Sequence, residues 1–376
     1  MLEIDASTTL DYLRGPGRDF LSNVGLTVAD LDAATATELA WGVSNIVIRV
    51  DVRNAGVSFV LKQSREKLRT QIDWFSQLER IWREVDMLHA LRRLLPDGAV
   101  PVVLFEDREN YLFAMEAIEA NHRVWKADLL AGNIGDDVAR NLAGCLAAIH
   151  RGSTGNATLA DQLGDRTVFD ELRLDPFYRY VAEHDEHCRP ALEAIIESSL
   201  TRSDCLVLAD FSPKNILITS RGPVLVDFET GHFGDPAFDV GFFLSHLLLK
   251  AVYHNGSWDP STKGDFLATL TIAEASIFEM VYRLHLAENP TPQWYASAGE
   301  TTSEYERRCV RHLGACMLAR VAGKSRVDYL REDWQPEFVT RYCHGLLTDS
   351  GLTLQEAFEW LKTALAERSS RSDDRQ

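Results

Sequence analysis

No two of the six cysteines in this 376-residue chain stand at a C-x-x-C or metal-type spacing; Cys145, Cys188, Cys205, Cys309, Cys316 and Cys343 are scattered singly. That scatter excludes a disulfide framework and a structural zinc centre, and reads as buried free thiols of a reducing compartment. Long apolar runs are missing too. The most apolar stretch, around Val240 to Val252, is too short and too interrupted to cross a bilayer. Residues 1–30 lack a basic start followed by an apolar core, so no secretory signal is expected and the protein is placed in the cytoplasm, with no membrane partner. Positive charge is scarce: 39 Lys and Arg face 56 Asp and Glu, a net charge of −17. Such a balance argues against nucleic acid as a partner, since phosphate-backbone binding needs a basic face. It favours a cationic small-molecule substrate. There is no internal repeat, and the only low-complexity segment is the polar tail Glu367 to Gln376.

What is present is an ordinary globular composition, 45% hydrophobic and 25% charged, long enough for one large domain or two modest ones. The chain is organised around residues 204–239. Two β-like runs, Ile216-Leu217-Ile218 and Val224-Leu225-Val226, flank the turn signal Ser220-Arg221-Gly222-Pro223. Folded as a hairpin centred near Arg221, they set Asn215 and Asp227 opposite each other, six residues from the centre on either side. Asp210 stands five residues before Asn215, where a third short run, Cys205 to Leu208, ends. Each alone would read as a turn residue. Together they are two carboxylates and a carboxamide at one end of a small β-unit, an oxygen set that suits a hard divalent cation.

The pattern D-x-x-x-x-N, hairpin, D-F resembles the catalytic and metal loops of the protein-kinase-like fold, and in detail its small-molecule branch of aminoglycoside phosphotransferases, choline kinases and methylthioribose kinases. The branch's H-G-D-x-x-x-x-N stands here as Leu208-Ala209-Asp210-Phe211-Ser212-Pro213-Lys214-Asn215, its D-[FW]-E as Asp227-Phe228-Glu229, followed by Gly234-Asp235-Pro236-Ala237-Phe238-Asp239. The resemblance implies Asp210 as catalytic base, Asn215 and Asp227 as Mg²⁺ ligands, and Asp239 as a helix-borne brace for the catalytic loop. Two positions depart from the pattern: Leu208 stands for the family's His and Ala209 for its Gly.

The resemblance also implies an α+β, bilobal architecture: a small β-rich ATP-binding lobe over residues 1–117, carrying an N-terminal helical extension broken at Gly15-Pro16-Gly17, and a larger, mostly helical catalytic and substrate lobe over 118–376. A strand pattern begins at Glu38 and runs to Val52, and Gly42-Val43-Ser44-Asn45 sits where a hairpin must turn. In the resembled family this turn covers the ATP phosphates, which implicates Gly42, Ser44 and Asn45. Val57 to Lys62 is an alternating strand; by resemblance Val60 roofs the adenine and Lys62 meets the phosphates. The helix Gln71 to Leu95 places Ile81, Leu88, Leu91 and Leu95 on one stripe with Glu84 in the middle. A carboxylate there is costly unless paired, and Lys62 is the natural partner. Two further strands, Pro101 to Glu106 and Tyr111 to Met115, lead to Met115-Glu116-Ala117-Ile118, which resembles the adenine-binding hinge, so Met115, Glu116 and Ile118 are implied nucleotide contacts.

Beyond His122 the chain reads as mostly helical. Asp136 to His150 is a core helix whose terminal His150 complements the helix dipole, and Phe238 to Tyr253 is a helix apolar almost all round. Helices are predicted near 262–287, 301–321, 335–347 and 354–367, the last opened by a Thr353/Glu356 capping box. His232, His246, Trp258, Arg320, Lys324 and Arg326 are candidates to line an acceptor pocket. The expected activity is transfer of the γ-phosphoryl of ATP, with Mg²⁺, to a hydroxyl of a small molecule of the aminoglycoside, choline or methylthioribose kind, by a monomer or homodimer. A protein substrate is disfavoured: no A-P-E segment is present, and Asp227 reaches Asp239 in twelve residues, leaving no room for an activation loop. The alternative is a pseudokinase, an ATP-binding scaffold without turnover, prompted by Leu208.

Overall fold

The computed structural model describes residues 1–39, 45–66, 76–135, 137–256, 264–295, 304–349 and 351–373. The chain forms two compact units: Met1–His122 with Val224–Thr230, and Arg123–Pro223 with Gly231–Gln376.

The first unit opens with α1 (Thr9–Arg14) and α2 (Arg18–Asn23), parted by the expected glycine-proline-glycine break. It continues with β1 (Ala34–Glu38), β2 (Asn45–Val52), β3 (Val57–Ser64), α3 (Arg80–Leu94), β4 (Val103–Asp107) and β5 (Leu112–Glu116). The strands make one antiparallel sheet in the order β1-β2-β3-β5-β4. The first strand ends at Glu38, where the sequence suggested it would begin: Thr35, Thr37 and Glu38 are exposed, and only the small side chains of Ala34 and Ala36 pack on the core, too weak an alternation to mark it. In β3, Phe59 and Leu61 point into a core shared with Ile48 and Val50 and closed by Leu13, Phe20 and Leu21 of the N-terminal helices. The Phe20 ring meets Phe59 edge-on at 4.8 Å. The extension is thus the cover of one sheet face, and each large apolar side chain it buries there contributes about 1.5–3 kcal/mol. Lys62 alternates to the other side, in register with Val47 and Phe113.

In the second unit β6 (Arg123–Val124) and α4 (Trp125–Leu130) precede α5 (Val138–Ser153), α6 (Ala157–Leu163) and α7 (Thr167–Phe169). A π-helical segment, Asp170–Arg179, leads into α8 (Tyr180–His184) and α9 (Arg189–Thr201). Then come β7 (Cys205–Val207), a 3₁₀ turn at Pro213–Asn215, β8 (Ile216–Thr219), β9 (Gly222–Leu225, along which the chain passes back to the first unit) and β10 (His232–Gly234). β7 pairs with β10 and β6 with β8, both antiparallel. The helices α10 (Ala237–Gly256), α11 (Gly264–Leu286), α12 (Glu304–Ala322), α13 (Trp334–Thr348) and α14 (Leu354–Asp373) complete the unit. As the sequence implied, α10 is buried all round, from Phe238 to Val252. It approaches α12 so closely that a Cβ on Gly241 would lie 2.4 Å from His312 Cβ, which only glycine permits. Thr353 and Glu356 make the expected reciprocal cap, Glu356 N–H donating to Thr353 Oγ1 at 3.1 Å and Thr353 N–H to Glu356 Oε2 at 2.8 Å.

All six cysteines are free, five buried and Cys145 half-buried. Among the described residues no helix is long and apolar enough to cross a membrane.

Candidate active site

In the first unit the strand-to-helix pair inferred from helix phase is present. Lys62 Nζ lies 2.9 Å from Glu84 Oε1 and 2.7 Å from Oε2, and 2.7 Å from Asp227 Oδ1. Lys62 is 5% exposed and Glu84 1%, so each has traded water for these partners. Burial alone would strip the lysine of its proton, but the carboxylates of Asp227, Glu84 and Glu229 outweigh it and hold the ammonium charged well above its ordinary range. Burial, with the negative charge of Asp227 and Glu229, pushes Glu84 up against the pull of Lys62. Asp227 has φ +72°, a left-handed conformation that Asp tolerates better than most residues and that marks a functionally constrained backbone. Its neighbour Glu229 accepts from Asn45 Nδ2 at 2.8 Å and from the fully buried Arg80 Nε at 3.1 Å. Asn45, implicated by resemblance as part of a phosphate-covering turn, therefore opens β2 and ties that strand to Glu229. Gly42 and Ser44 lie outside the described residues, as do residues 71–75 of the helix predicted from Gln71; residues 76–79 are not helical, so that helix starts only at Arg80.

Val60 is buried opposite Met115 in the β3–β5 pairing, and Glu116 N–H donates to Val102 O at 2.8 Å. The Ile118 carbonyl accepts from Arg49 Nη1 at 2.8 Å. Because the Lys62 ammonium and the Glu84 carboxylate form one buried unit, Lys62→Met and Glu84→Gln should each impair turnover, and the double variant should cost less than their sum. Strict additivity in that cycle would mean the contact carries no function.

In the second unit the loop after β7 carries Asp210, 6% exposed. Asn215, at the end of the 3₁₀ turn, donates through Nδ2 to Asp210 Oδ2 at 2.8 Å and to Asp210 O at 3.1 Å. Two cations meet the same carboxylate: Arg173 Nη2 at 3.0 Å from Oδ1 and Lys214 Nζ at 2.9 Å from Oδ2. Arg173 also donates through Nε to Ala209 O at 2.7 Å, fixing the loop backbone. Sequence reasoning missed Arg173. It sits on the π-helical segment, whose departure from a 3.6-residue period leaves no stripe to read.

The loop is braced from α10 as expected: Asp239 accepts from Leu208 N–H at 2.7 Å and from Ala209 N–H at 2.8 Å. His150, expected at a helix end, is instead wholly buried one turn inside α5, with Nε2 3.2 Å from Asp239 Oδ2 and Nδ1 2.7 Å from Tyr282 Oη. The helix runs on to Ser153, so position 150 faces the core, not the solvent beyond the last turn. Leu208 is buried, an apolar filler of the slot where the family carries His. Ala209 has φ +56°, where an L-residue costs about 1–2 kcal/mol that glycine avoids. Ala209→Gly should therefore stabilise the protein by roughly 0.5–1 kcal/mol after the entropy glycine loses on folding. An unchanged or lowered denaturation midpoint would contradict that reading of the strain.

Of the pocket candidates, His232 is buried and stacked 4.1 Å from Phe169, and Lys324 is taken by Asp175 at 3.0 Å. Trp258 lies outside the described residues. Arg320 lies in one cluster with Lys250 and Lys126, and His246 sits beside them.

Chemically, the first unit presents a carboxylate–ammonium–carboxylate chain and the second a carboxylate clamped by an amide and two cations. Asp227 and the Oδ1 of Asn215 are hard oxygen donors, the kind Mg²⁺ accepts one or two at a time while phosphate and water supply the rest. The donor chemistry of these residues fits that ion.

A model of the phosphotransferase enzyme family matches residues 35–256, more than half of the chain. This chain belongs to that family of phosphotransferases. It is 27% identical over 258 residues to methylthioribose kinase 2 of Oryza sativa subsp. japonica, covering 61% of this chain and 60% of that protein. To the methylthioribose kinase of Escherichia coli it is 25% identical over 254 residues, 59% of each. The chain thus spans about 60% of the length of the curated relatives it matches. Among solved structures it is similar to an aminoglycoside 2'-phosphotransferase-IIIa in complex with GDP, at 14% identity and a TM-score of 0.44, covering 96% of this chain and 98% of that one. It is also similar to a Plasmodium vivax ethanolamine kinase, at 12% identity and 0.47, covering 98% and 91%.

Proposed function

We propose that the protein transfers the γ-phosphoryl group of ATP to a hydroxyl of a small molecule. The observation that carries this reading is Asp210: a buried carboxylate held by Asn215, Arg173 and Lys214 on a loop hung from Asp239. Asp210 accepts the proton of the acceptor hydroxyl as its oxygen attacks the γ-phosphorus. The new O–P bond forms as the bond to the β,γ-bridging oxygen breaks, and ADP leaves with that electron pair. Phosphoryl transfer passes through a loose transition state, so positioning and charge neutralisation matter more than basicity. That suits an aspartate whose two cationic partners fix its place.

Lys62, oriented by Glu84, neutralises phosphate charge on the nucleotide. Lys214, half-exposed beside Asp210, is free to follow the charge that develops on the transferred group. Val60, Met115, Glu116 and Ile118 are the proposed surroundings of the adenine, and Asn215 and Asp227 would hold Mg²⁺. That ion, when bound, supplies the positive charge that bridges the phosphates. The acceptor belongs to the same broad class as aminoglycosides, choline and methylthioribose: small, hydroxylated and non-protein. The pseudokinase alternative loses its motive, since Leu208 fills an apolar slot and its backbone N–H keeps the Asp239 brace.

Mg²⁺-ATP at about 100 times its dissociation constant should stabilise the protein against heat by roughly 2.7 kcal/mol, and ATP with a chelator much less. A melting curve indifferent to Mg²⁺-ATP, with no nucleotide binding by calorimetry, would sink the reading. ATP consumption across a panel of hydroxylated small molecules then separates an enzyme from a scaffold.

A further inference from the structure

The ground around Asp210 in the second unit has a charge opposite to that of the protein as a whole. Lys250, deep in α10, is 1% exposed. Its Nζ donates to the carbonyl of His246 one turn back at 3.0 Å and lies 5.3 Å from the centre of the Tyr329 ring. No carboxylate of the described residues is within ion-pair distance of it. Lys126 approaches the same ring at 5.7 Å, and its only acidic partner among the described residues is the exposed Asp328 at 3.5 Å. Arg320 on α12 donates through Nη1 to Ser325 Oγ at 2.7 Å, while its buried Nε has no partner among the described residues. The hydroxyl of Tyr329, a residue 7% exposed, is likewise without a partner there. Burial, with the charges of Lys250, Arg320, Lys214 and Lys126, drives His246 well below its ordinary range.

This cluster is one ring away from Asp210. The guanidinium groups of Arg320 and Arg173 flank Phe177, 5.6 and 5.8 Å from its centre, and Arg173 meets Asp210 at 3.0 Å. Asp210 is in contact with Arg173 and Lys214, and among the described residues no carboxylate is within ion-pair distance of Arg320. Burial, with the charges of Lys126 and Arg320, brings Lys250 down to about 7, so without a counter-ion it gives up its proton near neutrality, and an anion bound beside it and the unpartnered Arg320 Nε would draw the proton back.

We propose that the acceptor is a small hydroxylated molecule that itself carries an anionic group, a carboxylate or a phosphate, which Lys250 and Arg320 bind while a hydroxyl of the same molecule meets Asp210. This rests on the phosphotransfer reading and narrows it: cationic acceptors such as aminoglycosides and choline do not fit ground of this sign, whatever the net charge of the whole chain. Lys250 gives a point charge and Arg320 a planar fork, the pair commonly used to grip carboxylate or phosphate. The Tyr329 hydroxyl is a donor for a remaining oxygen.

The test is calorimetric binding to the full chain without nucleotide, using matched probes: glycerate against glycerol, ribose 5-phosphate against ribose, and choline as the cation. The charged member of at least one anionic pair should bind at least tenfold tighter than its neutral partner, and whichever pair shows it identifies carboxylate or phosphate. Lys250→Met and Arg320→Gln should each erase most of that preference; the two lie on different helices, so one folding defect does not mimic both. Choline or a neutral member binding as tightly, no anionic member binding, or both variants keeping the preference would overturn the inference. Phosphoryl transfer from ATP is then assayed separately. Anion binding without transfer would remove the kinase reading and leave the anion site, whereas transfer to neutral or cationic acceptors would do the reverse.

Discussion

Asp210→Asn is expected to lower phosphoryl transfer by about 10² or more, the usual scale for a positioned general base, while nucleotide binding survives. The substitution keeps the side-chain shape but leaves Arg173 and Lys214, at 3.0 and 2.9 Å, facing a neutral amide. Some stability will go with it, so the rate must be compared at a temperature where both proteins are folded. Asp227→Ala should behave differently. It removes a proposed Mg²⁺ ligand and one of the two carboxylates on Lys62 Nζ, so Mg²⁺-dependent nucleotide binding itself should fail. Initial rates and nucleotide titration calorimetry on the two variants separate these outcomes. If Asp210→Asn retains the wild-type rate, the base has been misassigned and the reading of the whole loop must be reopened.

That Asp210 and Asn215 meet was readable in the sequence, because their five-residue spacing across a proline-bearing turn keeps them at one end of the small β-unit. Glu84 was readable for another reason: a charge inside an apolar stripe demands a partner, and Lys62 is there at 2.9 Å. Arg173 was not readable, since a π-helical stretch with Pro176 inside it erases the helical period. His150 was misread because the end of α5 lies three residues further on, and a helix boundary decides whether a histidine meets solvent or core. The N-terminal helices were visible as helices but not as the lid of a sheet face, since what they cover is set by β strands that follow in the chain. Lys250 was hidden in plain view within an apolar helix. Its burial was foreseeable, but its neighbours Tyr329 and Arg320 come from segments far along the chain that no periodicity links to it.

Replacing Arg308 by Met should produce the largest loss of stability of any single change considered. Asp235, in the Gly-Asp-Pro segment that opens α10, is 2% exposed. It receives Arg308 Nε at 2.8 Å and Nη2 at 3.3 Å, and caps α10 by accepting from Ala237 N–H at 3.0 Å. Burial would raise its carboxyl, but Arg308 and His312, with the Ala237 N–H, more than offset that and hold it below its ordinary value. Without Arg308 a buried carboxylate is left with Arg202 at 3.7 Å as its nearest cation, and breaking such a pair costs about 3–5 kcal/mol. Because Asp235 is depressed in the fold, its contribution is fully present above the unfolded-state pKa near 4 and is lost as pH falls through the folded value. The gap between wild type and Arg308→Met should accordingly be widest near pH 7 and close below about pH 4. The double variant Asp235→Ala/Arg308→Met should cost clearly less than the two singles summed, since each single strands a partner and the double strands none. Denaturant unfolding of the four proteins at pH 7 and at acid pH reads both effects. A loss under about 1 kcal/mol at pH 7, or one that does not shrink on acidification, would show that the Asp235–Arg308 pair does not anchor the start of α10.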